Sequence, residues 1–267
     1  MQYIMKNANM EKLDFAIDLA RRMGKVALET ARTVIIKKES GGNFATAADL
    51  DSERIAIETI SAKYPGHKIL SEETLDKIKE PEKEPHLWIV DPIDGTTNFA
   101  HKVPLFAIAI AYMEKGEVVC GAVFDPSRNE LFCGSLGQGA FLNGERIFVS
   151  GQKELFGALI NTGCPYEPEN FDRVNPLNKI FHQNGARVIN ISSAVLETVY
   201  VASGRFDAYI EYGPKPWDIA SGKIIVEEAG GALIYLGGKS IFNARGFLLG
   251  SKDLTSKISK LLPVVNR

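Results

Sequence analysis

Two aspartates, Asp91 and Asp94, stand three positions apart in the stretch WIVDPIDGTTNF (88–99), directly after a run of apolar residues. Carboxylates that close, at the end of a buried strand, repel each other and lose hydration. They must share a proton, hold a cation, or lie on a loop surface. Pro92 fixes its own φ and offers no N–H, so the spacing predicts a sharp turn that presents both acids on one side. Asp-Pro and Asp-Gly pairs are also ordinary turn formers. The apolar strand upstream puts these acids at a C-terminal strand edge, where α/β proteins tend to keep their sites. Hard oxygen donors favour Mg²⁺ over zinc or copper, and His67, His86, His101 and His182 are too scattered to compete. Gly95-Thr96-Thr97 then opens a candidate helix whose backbone N–H groups and hydroxyls suit an anion such as phosphate.

The elements that must position these residues can be read from periodicity. Leu13, Ile17, Ala20, Ala27, Ala31 and Val34 recur at helical spacing and predict a long first helix that gives out near Lys37 and Lys38, before a loop at 39–43. Thr46 and Asp49 have capping-box spacing for a second helix, which Tyr64-Pro65-Gly66 stops. Short strands at 68–70 and 87–90 both run into acids, Glu72 and Asp91, with an exposed loop at 76–85 between them. A hairpin (107–112, 118–124) continues through 130–133 and 140–142 as an antiparallel meander, with turns at Asp125-Pro126 and Asn143-Gly144. Beyond Ser150, strands at 158–160, 187–189, 208–210, 232–235 and 247–249 alternate with helices at 171–182, 193–203, 218–229 and 253–262. The expected organisation is an α+β half (1–150) carrying most of the acids and an α/β half (151–267). The glycines of GSLGQG (134–139) have the wrong spacing for a dinucleotide loop and read as turn residues.

Bulk properties narrow the function. A chain of 267 residues with 31 basic and 33 acidic side chains has no overall field to recruit nucleic acid or an anionic membrane. Cys120, Cys133 and Cys164 are odd in number and lack CxxC spacing, which argues against a disulfide framework or a structural zinc. No apolar run reaches the length of a membrane span and no signal peptide is read, so a cytoplasmic compartment is expected.

The segment DPIDGTTNF resembles the central motif of the inositol monophosphatase family, the lithium-sensitive, Mg²⁺-dependent phosphatases. A second family motif resembles 215–222 (KPWDIASG), leading into 226–231. Ser71-Glu72-Glu73 and 46–49 (TAAD) match two more, all in family order. The resemblance implies a layered αβαβα sandwich of the inositol monophosphatase/fructose-1,6-bisphosphatase type. It implies two or three Mg²⁺ ions: the first on Glu72, Asp91 and the carbonyl of Ile93, the second on Asp91, Asp94 and Asp218, and a third helped by Glu72. It further implies that Glu72 helps hold the attacking water, that Asp49 and Thr96 form a proton-handling pair, and that Gly95 and Thr96 hold the phosphate. Asp94, Asp218, Glu211 and the backbone of Ala194 fall at substrate-contact positions, and Lys38 matches a basic residue near the phosphate. The implied activity is hydrolysis of an inositol monophosphate by metal-activated water, without a covalent phosphoenzyme, in a homodimer.

One departure is Ile191, read as standing where the family places a glycine ahead of the substrate-side helix; it predicts a reshaped pocket. Related substrates within the class are fructose 1,6-bisphosphate, adenosine 3′,5′-bisphosphate, NADP and histidinol phosphate. A different class, a regulatory binding protein using the same fold, is also carried.

Overall fold

The computed structural model of the chain describes residues 2–30, 35–38, 44–73, 78–163 and 168–262. Two helices come first, α1 (Gln2–Glu29) and α2 (Ala47–Lys63), separated by the short antiparallel strands β1 (Ile35–Lys38) and β2 (Phe44–Thr46). The first helix therefore ends earlier than its periodicity predicts, and Lys38 sits on a strand. The loop at 39–43, the helical positions Ala31 and Val34, and Cys164 lie outside the described residues.

A seven-stranded sheet follows, in simple chain order: β3 (Lys68–Ser71), β4 (His86–Asp94), β5 (Ala107–Glu114), β6 (Glu117–Asp125), β7 (Glu130–Ser135), β8 (Gly139–Leu142) and β9 (Glu145–Ile147). Only β3 and β4 pair in parallel; the rest is the antiparallel meander expected from the sequence. A short helix, α3 (Thr96–Ala100), leaves the end of β4.

The remainder alternates: β10 (Leu159–Thr162), α4 (Pro168–Gln183), β11 (Arg187–Ile189), α5 (Ala194–Ala202), β12 (Ala208–Tyr212), α6 (Pro216–Glu228), β13 (Ala232–Leu236), β14 (Gly246–Gly250) and α7 (Lys252–Leu261). Its sheet has the order β11-β10-β12-β14-β13, parallel among the first three and antiparallel at β14.

Side-chain alternation assigns the layers. Along β4, Trp88 and Val90 pack with Phe15, Leu19 and Ala56 of α1 and α2, whereas Leu87 and Ile89 pack with Leu196, Ile224 and Ile225 of α5 and α6. The segment Leu87–Val90 is apolar without alternation because both faces of the strand are covered. Tyr209, Phe247 and Leu249 of the second sheet close over α5 and α6 from the opposite side, and Ile160, Ala208 and Leu248 face α4 and α7. The order of layers is thus helix, sheet, helix, sheet, helix, which is the αβαβα sandwich.

The middle layer is tight. A Cβ placed on Gly222 of α6 would fall 2.1 Å from Thr198 Cγ2 of α5, so the two helices meet where one has no side chain.

Candidate metal centre

The strand carrying the aspartates does not turn at Pro92. It runs on to Asp94 with one extra residue against its neighbour: Asp91 pairs with Ala109 and Asp94 with Ala107. A β-bulge absorbs the proline, whose missing N–H falls where the ladder is already irregular. The sharp turn comes one residue later, at Gly95, with φ +82. A side chain there would be strained, and its Cβ would lie 2.9 Å from the carbonyl oxygen of Leu105.

Asp91 is buried, and its Oδ1 has no hydrogen-bond partner. Its pKa is pushed well above the usual carboxylate range, by burial first and then by the negative charges of Glu72, Asp94, Asp218 and Asp49. Glu72, just beyond β3, is raised in the same way, by burial and then by Asp218, Glu73, Asp49 and Asp94.

Asp94 has acquired partners from the second half of the chain. Its Oδ2 accepts from Ser193 Oγ and, at 3.1 Å, from the N–H of Val195, in the first turn of α5. Burial raises its pKa to about 6, against the lowering effect of Ser193 and the amides of Val195, Leu196 and Ala194. The positive end of the helix stabilises the carboxylate here. Asp218 occupies the first turn of α6, where its Oδ2 caps the Lys215 N–H at 2.7 Å. Its pKa rises to about 7, through burial first, with Lys215 opposing and the charge of Asp94 adding to it.

Asp49 joins from α2. Its Oδ2 accepts from the N–H of Thr46 at 2.8 Å and from the Thr46 hydroxyl, which is the capping box expected from the sequence. Its Oδ1 lies 3.0 Å from Thr96 Oγ1, and the carbonyl of Ile93 is 2.9 Å from the same hydroxyl. Burial raises the pKa of Asp49, offset by Thr46 and Thr96.

Glu72, Asp91, Asp94, Asp218 and Asp49 thus come from β3's end, β4, α6 and α2 into one neighbourhood, where Glu72, Asp91 and Asp218 feel the charge of others. Glu211, on β12, has its pKa pushed well up by burial first and then by the charges of Glu197, Asp218 and Asp94. The Ala194 N–H is directed at Asp94, and the Ala194 carbonyl accepts from Thr198 Oγ1 at 2.8 Å. The Lys38 side chain lies outside what the structure describes. The backbone that favours glycine falls on Ser192, with φ +55, and not on Ile191. The pocket-reshaping effect expected of Ile191 therefore has no strained backbone behind it.

Among the described residues, no three of these side chains already stand around a common point as metal ligands would. Four carboxylates at low dielectric push one another apart. The donors nevertheless fit a hard cation: all are oxygens, Asp91 Oδ1 is buried without a proton donor, and the acids raise one another's pKa.

Sequence reading missed Ser193 as a partner of Asp94, Asn98, whose amide binds the carbonyls of Ile191 and Ser192 at 2.8 and 3.1 Å, and Glu197. Glu197 left a signal, since it is an acid in a helix, AVLETVYVA, with no polar face.

The family model described as "Inositol monophosphatase family" matches residues 9–265. The chain is 35% identical to a Pseudomonas aeruginosa protein named Nus factor SuhB, over 94% of this chain and 97% of that one. It is 36% identical to a Dictyostelium discoideum inositol monophosphatase, over 97% of each chain. Its fold superposes on a Thermotoga maritima IMPase with a TM-score of 0.84 at 33% identity, covering 94% of this chain and 96% of the other. With the motifs in register, the layers in the same order and the match running from end to end, the chain belongs to the inositol monophosphatase family.

Proposed function

We propose that this chain is a Mg²⁺-dependent phosphomonoesterase whose substrate is an inositol monophosphate. The observation that carries the reading is the orphaned, buried Oδ1 of Asp91 among carboxylates that raise one another's pKa. Glu72, Asp91 and the Ile93 carbonyl would hold one cation, Asp91, Asp94 and Asp218 a second, and Glu72 would help with a third. Bound Mg²⁺ supplies charge neutralisation for the phosphate dianion and acidifies a water molecule.

The chain's own groups supply positioning and proton handling. Thr96 Oγ1, which donates to Asp49 Oδ1 at 3.0 Å, would take a proton from the attacking water while its own proton passes to that carboxylate. The water oxygen bonds to phosphorus, the ester P–O bond breaks, and the leaving alkoxide is protonated by solvent water. Thr46 keeps Asp49 oriented throughout. The amides of Gly95 and Thr96 would hold the phosphate at the start of α3, and Glu211 and the Ala194 backbone would meet the alcohol's hydroxyls.

Phosphate release from inositol 1-phosphate, fructose 1,6-bisphosphate, adenosine 3′,5′-bisphosphate, NADP and histidinol phosphate, with and without Mg²⁺, tests this. Inositol 1-phosphate should have the highest kcat/KM, and only with Mg²⁺. Preference for fructose 1,6-bisphosphate or a nucleotide would move the substrate within the class, and Mg²⁺-independent release would end the reading.

Relatives named Nus factor favour a second reading, in which the chain also binds a regulatory protein. A pull-down with wild type and Asp94→Asn separates the two, because partner binding should survive loss of the acid. A homodimer, lithium inhibition and a cytoplasmic location belong to the same proposal. Among the described residues, no helix is long and apolar enough to cross a membrane.

A further inference from the structure

Glu197 is a buried glutamate that the proposed chemistry does not use. It sits on α5 at 1% exposure, with Val195, Leu196, Thr198 and Val199 buried around it. An acid in such surroundings is costly to bury unless it is well bonded.

Its bonds run in two directions. Oε1 accepts the N–H of Ile191 at 2.9 Å and that of Ser192 at 3.1 Å. Those two residues are gripped from the other side by Asn98 Nδ2, which also reaches the carbonyl of Leu105 at 2.9 Å. Both grips hold the loop whose next residues, Ser193 and Val195, bind Asp94. In the other direction lies the buried phenol of Tyr209, which donates its one O–H to Glu211 Oε2 and feels the charge of the Glu197 carboxyl beside it. Glu197 and Tyr209, packed together, therefore link the Asp94 loop to the acid on β12.

We propose that Glu197 and Tyr209 are positioning residues for the leaving group: they fix Glu211 and the Asp94 loop at a set separation, selecting esters of polyhydroxylated alcohols. This rests on the phosphatase reading. The physical reason is entropic. A carboxylate on a strand end has several rotamers, and one held by a buried phenol meets a hydroxyl without first losing that freedom.

The test compares inositol 1-phosphate with 4-nitrophenyl phosphate, an ester without hydroxyls, in wild type, Tyr209→Phe and Glu197→Gln. Tyr209→Phe should raise KM for inositol 1-phosphate about tenfold, as expected for one lost buried hydrogen bond, with kcat within about threefold. The aryl ester's kcat/KM should change by less than about twofold. Glu197→Gln keeps an oxygen for the two amides and should show a smaller rise of the same kind. Equal losses on both esters, or none on either, would overturn the proposal.

Hydrogen exchange reads the clamp independently of turnover. Glu197→Ala should lose protection at the amides of Ile191 and Ser192 while Glu197→Gln retains it; unchanged protection in Glu197→Ala would also overturn the proposal. Wild type inactive on both esters would instead refute the phosphatase reading, with exchange still deciding the clamp.

Discussion

Asp94 and Asp218 have pKa values raised from 3.8 to about 6 and about 7, so in the metal-free protein each costs stability once it ionises. The folded pKa lies above the unfolded one. Their contribution is therefore fully present below about pH 4 and is lost as pH rises through 6 and 7. In a chelator, Asp218→Asn should gain thermal stability relative to wild type as pH goes from 5 to 8, read as the difference between their melting temperatures. A gap that stays constant or shrinks would contradict the shift. Bound Mg²⁺ stabilises the ionised forms and should reduce the gap, because carboxylate ligands must be deprotonated. At this scale Asp91, Asp94, Glu72 and Asp49 were legible because each ends or caps a periodic element. Ser193 and Asn98 were not, since their partners lie 99 and 93 positions away in sequence.

The elements that aim these residues depend on close approach. Gly222 lets α6 lie against Thr198 of α5, whose hydroxyl is tied to the Ala194 carbonyl and cannot swing away without losing that bond. Gly222→Ala should therefore destabilise the protein by about 1–3 kcal/mol, in the range for overpacking. Denaturant unfolding measures this, and a midpoint equal to wild type would show that the helices can separate at no cost. Helices α2, α5, α6 and α7 were legible from apolar spacing and from caps such as Thr46. The strand β1 was not. The helical spacing that starts at Leu13 carries on through Val34, and four residues paired with β2 leave little local signal. Nor could the sequence show that the strand runs through Pro92, because a bulge is defined only against its neighbour, β5.

On the scale of the molecule, the acids converge because the middle helical layer is shared. Leu87 and Ile89 from the first sheet and Tyr209 and Phe247 from the second lie in one apolar cluster with α5 and α6. The layer order followed from the family resemblance. Periodicity alone could not supply it, since it shows that a strand is covered on both faces but not by what. A cation held as proposed by Asp91 and Asp94 of β4 and Asp218 of α6 would tie the first sheet to the middle helical layer and should stabilise the whole fold. At a Mg²⁺ concentration a hundred times its Kd the gain is about 2.7 kcal/mol, and Asp94→Asn should lose most of it in thermal unfolding with and without Mg²⁺. An equal Mg²⁺ effect in the variant would place the cation elsewhere.

The gathering of acids around divalent ions is tested most directly by anomalous diffraction from crystals soaked in Mn²⁺. Strong peaks bounded by Glu72, Asp91, Asp94 and Asp218, with Asp91 Oδ1 as a ligand, are the expected result. Well-ordered carboxylates with no anomalous density between them would contradict it.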